Sequence, residues 1–320
     1  MRVLVTGGLG FTGQAVARHL IAAGHDVAVM TSADMIRSAV PPGADLIRAD
    51  LRDRSAVERA IAGREFDGVC HLAARTRVRD SFADPVGYFD VNVTGTANLL
   101  AALEDESERT GTPPRLVFAS TGAVYGSREG TLNEDEPTHP TNPYGSSKLA
   151  AEQLLGYQAA AGRIAAVTLR CFNIAGAVPT GASALTDSDL TRIIPKTLAV
   201  AAGTADRLQI NGDGSAVREY THVLDVAAAF ALALNAATVG EHQVLNVGSG
   251  HGATLAEVLA VARRITGRPI SAEHLPPKPE AKVLMADSRR IRTRFGWQPS
   301  HSSLEQILRD GWAALAAAAA

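Results

Sequence analysis

Short apolar runs alternate with longer stretches of helical spacing from the first residues to beyond the middle of the chain. Val3 to Thr6 is a short, mainly apolar run ended by glycine, the pattern of a strand buried on both faces. Phe11 to Ala23 then places Phe11, Ala15, Leu20 and Ile21 at helical spacing and stops at Gly24. The same reading predicts strands at Asp26 to Met30, Leu46 to Arg48, Gly68 to Leu72, Arg115 to Ala119 and Ala165 to Cys171. Between them it predicts helices at Arg54 to Ala62, Pro85 to Leu103 and Tyr144 to Ala161. Strands joined through helices require right-handed crossovers, hence a parallel sheet covered on both faces. The expected fold class is α/β, a doubly wound parallel sheet of the Rossmann type.

After Phe172 the pattern changes. Gly176 to Asp189, rich in Gly, Pro, Thr and Ser, reads as a long loop. Beyond it the spacing predicts a helix from Leu190 to Ala202, a strand from Leu208 to Asn211 and the polar segment Arg218 to His222. A helix from Val223 to Asn235, a strand from Val244 to Val247 and a helix from Leu255 to Thr266 complete the run. The segment near 222–247 is expected to return to the large sheet, and the rest to build a smaller C-terminal lobe.

Composition narrows the function classes. Apolar residues make up 46% and charged residues 20% of 320, enough for a large core and against a disordered tail. Thirty-one basic against 33 acidic side chains argue against a surface that neutralises many phosphates, so no nucleic-acid partner is expected. Cys70 and Cys171 both sit in apolar runs and fit buried thiols in a reducing compartment. The chain enters its first strand with no signal-peptide pattern, and no apolar run has membrane-spanning length. A cytoplasmic protein with no membrane partner is the expectation.

Candidate chemistry begins at Thr6-Gly-Gly-Leu-Gly-Phe-Thr-Gly13, between the first strand and the first helix. Glycines there allow a tight turn and bring backbone N–H groups and a helix N-terminus to a pyrophosphate. Residues 1–172 are therefore read as a dinucleotide-binding domain, and 173–320 mainly as a substrate-binding lobe. The second strand runs into Thr31 and Ser32, with Asp34 displaced and Arg37 nearby, where an acidic residue would hold the ribose of NAD. Thr31 and Ser32 suit a hydroxyl or a 2′-phosphate and Arg37 suits a phosphate, which leaves NAD and NADP both open.

Tyr144-Gly-Ser-Ser-Lys148 opens a helix, so Tyr144 and Lys148 lie one turn apart on one face. An ammonium beside a phenol is expected to lower the phenol's pKa toward neutrality, making a base for a sugar hydroxyl. Thr121, in Phe118-Ala-Ser-Thr-Gly-Ala-Val-Tyr125, ends a strand where ligand crevices lie and can bond the reacting oxygen. His71 and His222 read as strand-end packing or backbone-bonded side chains, and no cluster has metal-ligand spacing, so no metal is expected.

Together these motifs resemble the extended short-chain dehydrogenase/reductases of the NAD-dependent sugar epimerase/dehydratase family. The similarity extends through Asp50-Leu51, His71-Leu-Ala-Ala74, Asn92-Val-Thr-Gly95, Arg170-Cys-Phe-Asn-Ile-Ala-Gly-Ala177, Asn211-Gly-Asp-Gly214 and Val217 to Asp225. It implies Thr121, Tyr144 and Lys148 as catalytic residues, the last two also touching cofactor. Gly7, Gly10, Phe11, Thr12 and Gly13 would lie along the pyrophosphate, Asp50 and Leu51 near adenine, and Leu72, Ala73 and Ala74 along the ribose. Asn92 would steady the cofactor side and Phe172 pack near the nicotinamide. Asn173 and Arg218 would hold the substrate diphosphate, with Gln209 and Asn211 lining its nucleoside; for Arg218 the competing reading is a salt bridge with Glu219 or Asp225.

Three departures matter. Where sugar dehydratases carry Thr-Asp-Glu this chain has Thr121-Gly122-Ala123, which removes the acid and base that expel water. Where the family offers an Arg-x-Gly-Asp/Glu diphosphate motif it has Pro277-Lys278-Pro279-Glu280, leaving Lys278 as the nearby cation, without a bidentate fork. Leu284 stands where some relatives carry a bulky tyrosine that screens the sugar. The activity implied is a nucleotide-sugar 4-epimerase of the UDP-glucose/UDP-galactose type, and the family resemblance implies a homodimer through the helices at Pro85 to Leu103 and Tyr144 to Ala161. Competing readings are an NADPH-dependent 4-ketoreductase and a non-catalytic dinucleotide sensor.

Overall fold

The computed structural model describes residues 1–32, 40–178, 192–277 and 281–319, the side chains of 318 and 319 excepted. Seven strands form one parallel sheet: Arg2–Thr6, Asp26–Thr31, Ala44–Arg48, Gly68–His71, Arg115–Thr121, Ala165–Cys171 and His242–Val247. The strand Arg2–Thr6 lies between Gly68–His71 on one side and Asp26–Thr31 on the other, so the strand order reverses there. Open α/β sheets bind ligands at such a reversal, outside the carboxyl ends of the strands. Both faces are buried, as the continuous apolar runs require. Val3, Val5, Val27, Val29 and Cys70 pack under the helices Phe11–Ala22 and Val223–Ala236. Leu4, Ala28, Met30, Val69 and Phe118 pack on the opposite face against Arg54–Ile61, Gly95–Thr110 and Pro143–Ala160.

The expected helix from Pro85 to Leu103 is broken into pieces. A short helix, Pro85–Phe89, leads into one π-helical turn, Asp90–Thr94, and then into Gly95–Thr110, which ends at Gly111 in the left-handed conformation. The π turn centres on Asn92, whose buried side chain is bonded away from its own helix, and π turns of this kind recur at functional sites.

The carboxyl-terminal half returns His242–Val247 to the large sheet beside Ala165–Cys171, as expected from the pattern. A second sheet orders Gly252–Thr254, Val217–Glu219, Val283–Ala286 and Gly130–Leu132. Two strand pairs, Ile174–Ala175 with Thr221–His222 and Leu208–Asn211 with Ala272–Leu275, complete the pairing. A separate core joins Ile194, Leu198, Leu208, Ile210, Val258 and Ile307. Glu219 is fully buried beneath the second sheet and accepts from the backbone N–H groups of Gly250 (3.0 Å) and Ala286. Asp225 accepts from the Ser300 and His301 backbone and from the Ser302 hydroxyl. Both carboxylates suggested as salt-bridge partners for Arg218 thus have other partners, backbone donors for Glu219 and backbone, hydroxyl and His301 ring (2.9 Å) groups for Asp225.

Candidate active site

The glycine turn is shaped by close approach. Gly7 adopts φ +66°, and a Cβ there would lie 2.8 Å from the Ala73 backbone N and Cα. A Cβ on Gly13 would stand 2.1 Å from the Gly7 carbonyl oxygen. The turn therefore nests against Leu72-Ala73, whose N–H groups are tied to Thr6 through its carbonyl oxygen (3.2 Å) and its hydroxyl (3.2 Å). Gly10 is the N-cap of Phe11–Ala22 and supplies no side-chain hydrogen bond to it. Helix N-termini leave several backbone donors unpaired, so the exposed Gly10 and half-exposed Phe11 and Thr12 present an anion-binding end. These residues fit a dinucleotide pyrophosphate.

His71 is buried, with Nδ1 2.7 Å from the Thr6 hydroxyl and Nε2 2.9 Å from the Thr96 hydroxyl. Side-chain hydroxyls, rather than the backbone, are its partners. Burial, with Lys148 nearby, pushes His71 down to about 3. Among the described residues no group of three or more His, Cys, Asp or Glu side chains has the spacing of a metal site. At the far side of the turn Thr31 is half-buried and Ser32 exposed. Asp50 is half-buried with its carboxylate paired to Arg52 (2.7 Å), and Leu51 is buried with its carbonyl accepting from Asn98 (2.8 Å). Arg37 and Lys278 lie outside the described residues.

The catalytic candidates meet at the carboxyl ends of the strands. Thr121 ends Arg115–Thr121, and its hydroxyl caps the turn Gly122–Tyr125 by accepting from Ala123 N–H at 3.1 Å. Tyr144 enters through the helix Pro143–Ala160, whose N-cap Asn142 accepts from Gly145 N–H at 2.8 Å. Its phenol comes close to the Thr121 side chain, which works against the upward push of burial. Gly145 allows this approach, since a Cβ there would lie 2.7 Å from the Ala123 carbonyl oxygen. Lys148, one turn on, is buried with Nζ 3.9 Å from the Phe118 ring centroid.

The expected electrostatics are reversed. Tyr144 is half-buried, and burial pushes its phenol up to about 12. The nearby Thr121 side chain and the charge of Arg192 oppose that rise without overcoming it. Burial also pushes Lys148 down to about 7, so the lysine is poised between charged and neutral forms instead of depressing its neighbour. The chain by itself holds a neutral phenol.

Asn92 braces this corner. It accepts from Arg75 N–H (2.8 Å) and donates to the Arg75 carbonyl (3.0 Å) and the Ser147 hydroxyl (2.9 Å). Ser147 in turn donates to the Tyr144 carbonyl at 2.8 Å. Phe172 is buried beside Gly122, where a Cβ would meet the ring at 3.0 Å. An aspartate at that position, as dehydratases carry, would press on the Phe172 ring and require it to shift by a few tenths of an ångström, a packing that suits Thr121-Gly122-Ala123. Leu284 packs on the cluster that includes Phe172, Val124 and Tyr125, and stands in register with Arg218 on the neighbouring strand. Asn173, adjacent to Phe172, donates to the Glu219 carbonyl at 2.9 Å, which places Asn173 and Arg218 at one mouth. Gln209 and Asn211 lie apart on Leu208–Asn211, on the face opposite the buried Leu208 and Ile210.

Sequence reasoning missed a buried polar network beneath the site. Ser120 donates to Glu152, Arg170 pairs with Glu152 at 2.7 Å, and Arg170 donates to the Tyr125 hydroxyl at 3.0 Å. The signal was present in the spacing, because Glu152 falls four residues after Lys148.

A parallel sheet with a glycine turn at its strand-order reversal and a Thr-Tyr-Lys set facing it defines a dinucleotide-dependent enzyme of the short-chain dehydrogenase/reductase type. The NAD dependent epimerase/dehydratase family matches residues 3–248, and the chain belongs to that family. The UDP-glucose 4-epimerase of Streptomyces lividans is 39% identical, over 97% of this chain and 95% of its own length. That of Corynebacterium glutamicum is 38% identical, over 98% and 95%. The crystal structure of UDP-glucose-4-epimerase from Stenotrophomonas maltophila with bound NAD and formylated UDP-arabinopyranose superposes with a TM-score of 0.92. It is 32% identical, covering 100% of this chain and 99% of that one.

Proposed function

We propose that the protein is an NAD-dependent nucleotide-sugar 4-epimerase acting on UDP-linked sugars of the glucose/galactose type. The observation that carries this reading is the placement of Thr121 at its strand end with Tyr144 and Lys148 one turn apart on Pro143–Ala160, beside a turn shaped for a dinucleotide. The names of the near-full-length relatives support the reaction, and the neighbour holding NAD supports the cofactor. Gly7, Gly10, Phe11, Thr12 and Gly13 hold the pyrophosphate, and Tyr144 and Lys148 reach the nicotinamide end. When bound, NAD would supply the redox chemistry, a reversible hydride transfer at carbon 4 of the sugar.

Thr121 orients the reacting hydroxyl, and Tyr144 removes its proton and later gives it back, the general acid–base role. A phenol held up to about 12 by burial is a poor base alone, so the reaction needs positive charge beside it. A charged Lys148 provides part of that charge. Asn173 and Arg218 hold the diphosphate, residues 1–172 with the returning strand carry the cofactor, and most of 173–320 carries the substrate.

We also read the protein as a cytoplasmic homodimer. Four of the six exposed large apolar side chains among the described residues, Val78, Phe82, Val86 and Phe89, lie within twelve residues, ahead of the π turn. Val86 is 78% and Phe82 62% exposed, a patch that a second copy would cover. Sedimentation is expected to show twice the chain mass, and Val86→Lys to shift it toward monomer; a wild-type monomer at micromolar concentration would refute the assembly. Two buried free thiols fit a reducing compartment.

Incubating purified protein with UDP-galactose, without added cofactor, tests the function. Proton NMR is expected to show UDP-glucose forming with no net change in nicotinamide absorbance. Turnover of a keto sugar only with stoichiometric NADPH would make the protein a reductase, and bound dinucleotide without turnover a sensor.

A further inference from the structure

We propose that Glu152 is a positioning residue, a buried carboxylate that keeps Lys148 in its ammonium form for the reaction. The inference rests on the roles given above to Tyr144 and Lys148. In Pro143–Ala160 the residues 144, 148 and 152 recur every four positions and so lie along one stripe. Lys148 is 2% exposed and Glu152 3% exposed, two ionisable side chains one turn apart in the interior. A buried ammonium persists only with a counter-charge.

The groups around Lys148 leave few candidates. From its own helix come Tyr144 and Glu152. From Gly68–His71 comes His71, kept neutral by burial and by Lys148 itself. From Ala165–Cys171 comes Cys171, whose thiol burial pushes up to about 12, and Arg170, which is bound to Glu152. From Arg115–Thr121 come the Phe118 ring face, the Ser120 hydroxyl bound to Glu152, and Thr121. Among the described residues Glu152 is the buried carboxylate one helical turn from Lys148, and its charge opposes the loss of the proton that burial favours.

The carboxylate is also fixed in place. Arg170 Nη2 donates to Oε2 at 2.7 Å and Nε reaches both oxygens at 3.2 Å, while Ser120 donates to Oε1. Ser120 and Arg170 stand next to Thr121 and Cys171 in their strands, so the anchor that holds Glu152 is continuous with the strand ends that carry the site. A neutral side chain could make the same pin between helix and sheet; it would not supply the charge.

Glu152→Gln is therefore expected to lower the midpoint at which Lys148 loses its proton by about 1–3 pH units, the range for removing an adjacent opposite charge. The sign follows from the ammonium being the active form: activity falls as pH rises through that midpoint, so the alkaline limb of kcat moves to lower pH. Activity lost at neutral pH should return in mildly acidic buffer, with KM little changed. The midpoint can be read without turnover, because the chain has only four lysines and the Cε resonance of Lys148 is assignable with Lys148→Arg. Arg170 would stand unpaired in Glu152→Gln, so Glu152→Gln/Arg170→Met serves as the folded partner variant, and Ser120→Ala, which keeps the charge, should leave the midpoint in place. An unchanged Lys148 resonance midpoint in both Glu152 variants overturns the proposal and reduces the network to a structural pin. A shifted midpoint in a wild-type protein that proves unable to epimerise would leave this inference standing while the functional reading fell.

Discussion

Tyr144→Phe is expected to lower kcat by about 10²–10⁴-fold, the usual contribution of a positioned acid–base group, while NAD remains bound. In free-energy terms that is about 3–5 kcal/mol of transition-state stabilisation. The substitution removes one oxygen and little else. The ring still has its edge contact with Tyr88, 6.5 Å between centroids, and the N-cap at Asn142 is untouched. What disappears is the hydroxyl beside Thr121 that can accept and return the sugar proton. Turnover of UDP-galactose measured alongside the mass of the bound dinucleotide checks both halves. Wild-type turnover in the variant would sink the assignment, and loss of the dinucleotide would show that the hydroxyl is needed for binding.

Gly13→Ala is expected to strip the protein of bound dinucleotide and to lower its melting temperature. The added methyl would sit 2.1 Å from the Gly7 carbonyl oxygen and 2.9 Å from the Gly8 Cα, and both are backbone atoms that cannot swing aside. Relief requires the turn to open, which costs on the order of 1–3 kcal/mol as overpacking and misaims the N–H groups of the first helical turn. Gly10→Ala provides the comparison. Its Cβ would meet one atom, the Gly7 carbonyl oxygen, at 3.2 Å, and its backbone is extended with φ at −75°. Thermal melts should therefore rank Gly13→Ala well below Gly10→Ala; equal melting temperatures would show that the close packing of the turn is unimportant.

The parts of the site that are legible in the sequence are those formed by neighbours along the chain. The glycine turn, the pair Tyr144 and Lys148, and the strand end at Thr121 each occupy one short segment, so spacing alone places them. The helix Leu255–Thr266 is legible to the residue because Thr254 and Glu257 form a reciprocal cap at its start and Gly267 ends it. Harder to read were Gly130–Leu132, Gly252–Thr254 and Val283–Ala286, strands of three or four residues too short to show a period. Their partners come from far along the chain, and the sheet exists only once those segments meet.

The site's chemistry divides in the same way. Local order along the chain determined which groups could react, a phenol and an ammonium one helical turn apart below a phosphate-sized turn. Tertiary packing decided their charge states. Burial raises the phenol and lowers the lysine, effects set by the atoms that close around them rather than by their spacing. It also set Gly122 tightly against Phe172, fifty residues on, whose ring would have to shift to admit a side chain. Pairwise spacing cannot report either fact, since desolvation and excluded volume depend on every strand and helix that meets at the carboxyl edge of the sheet.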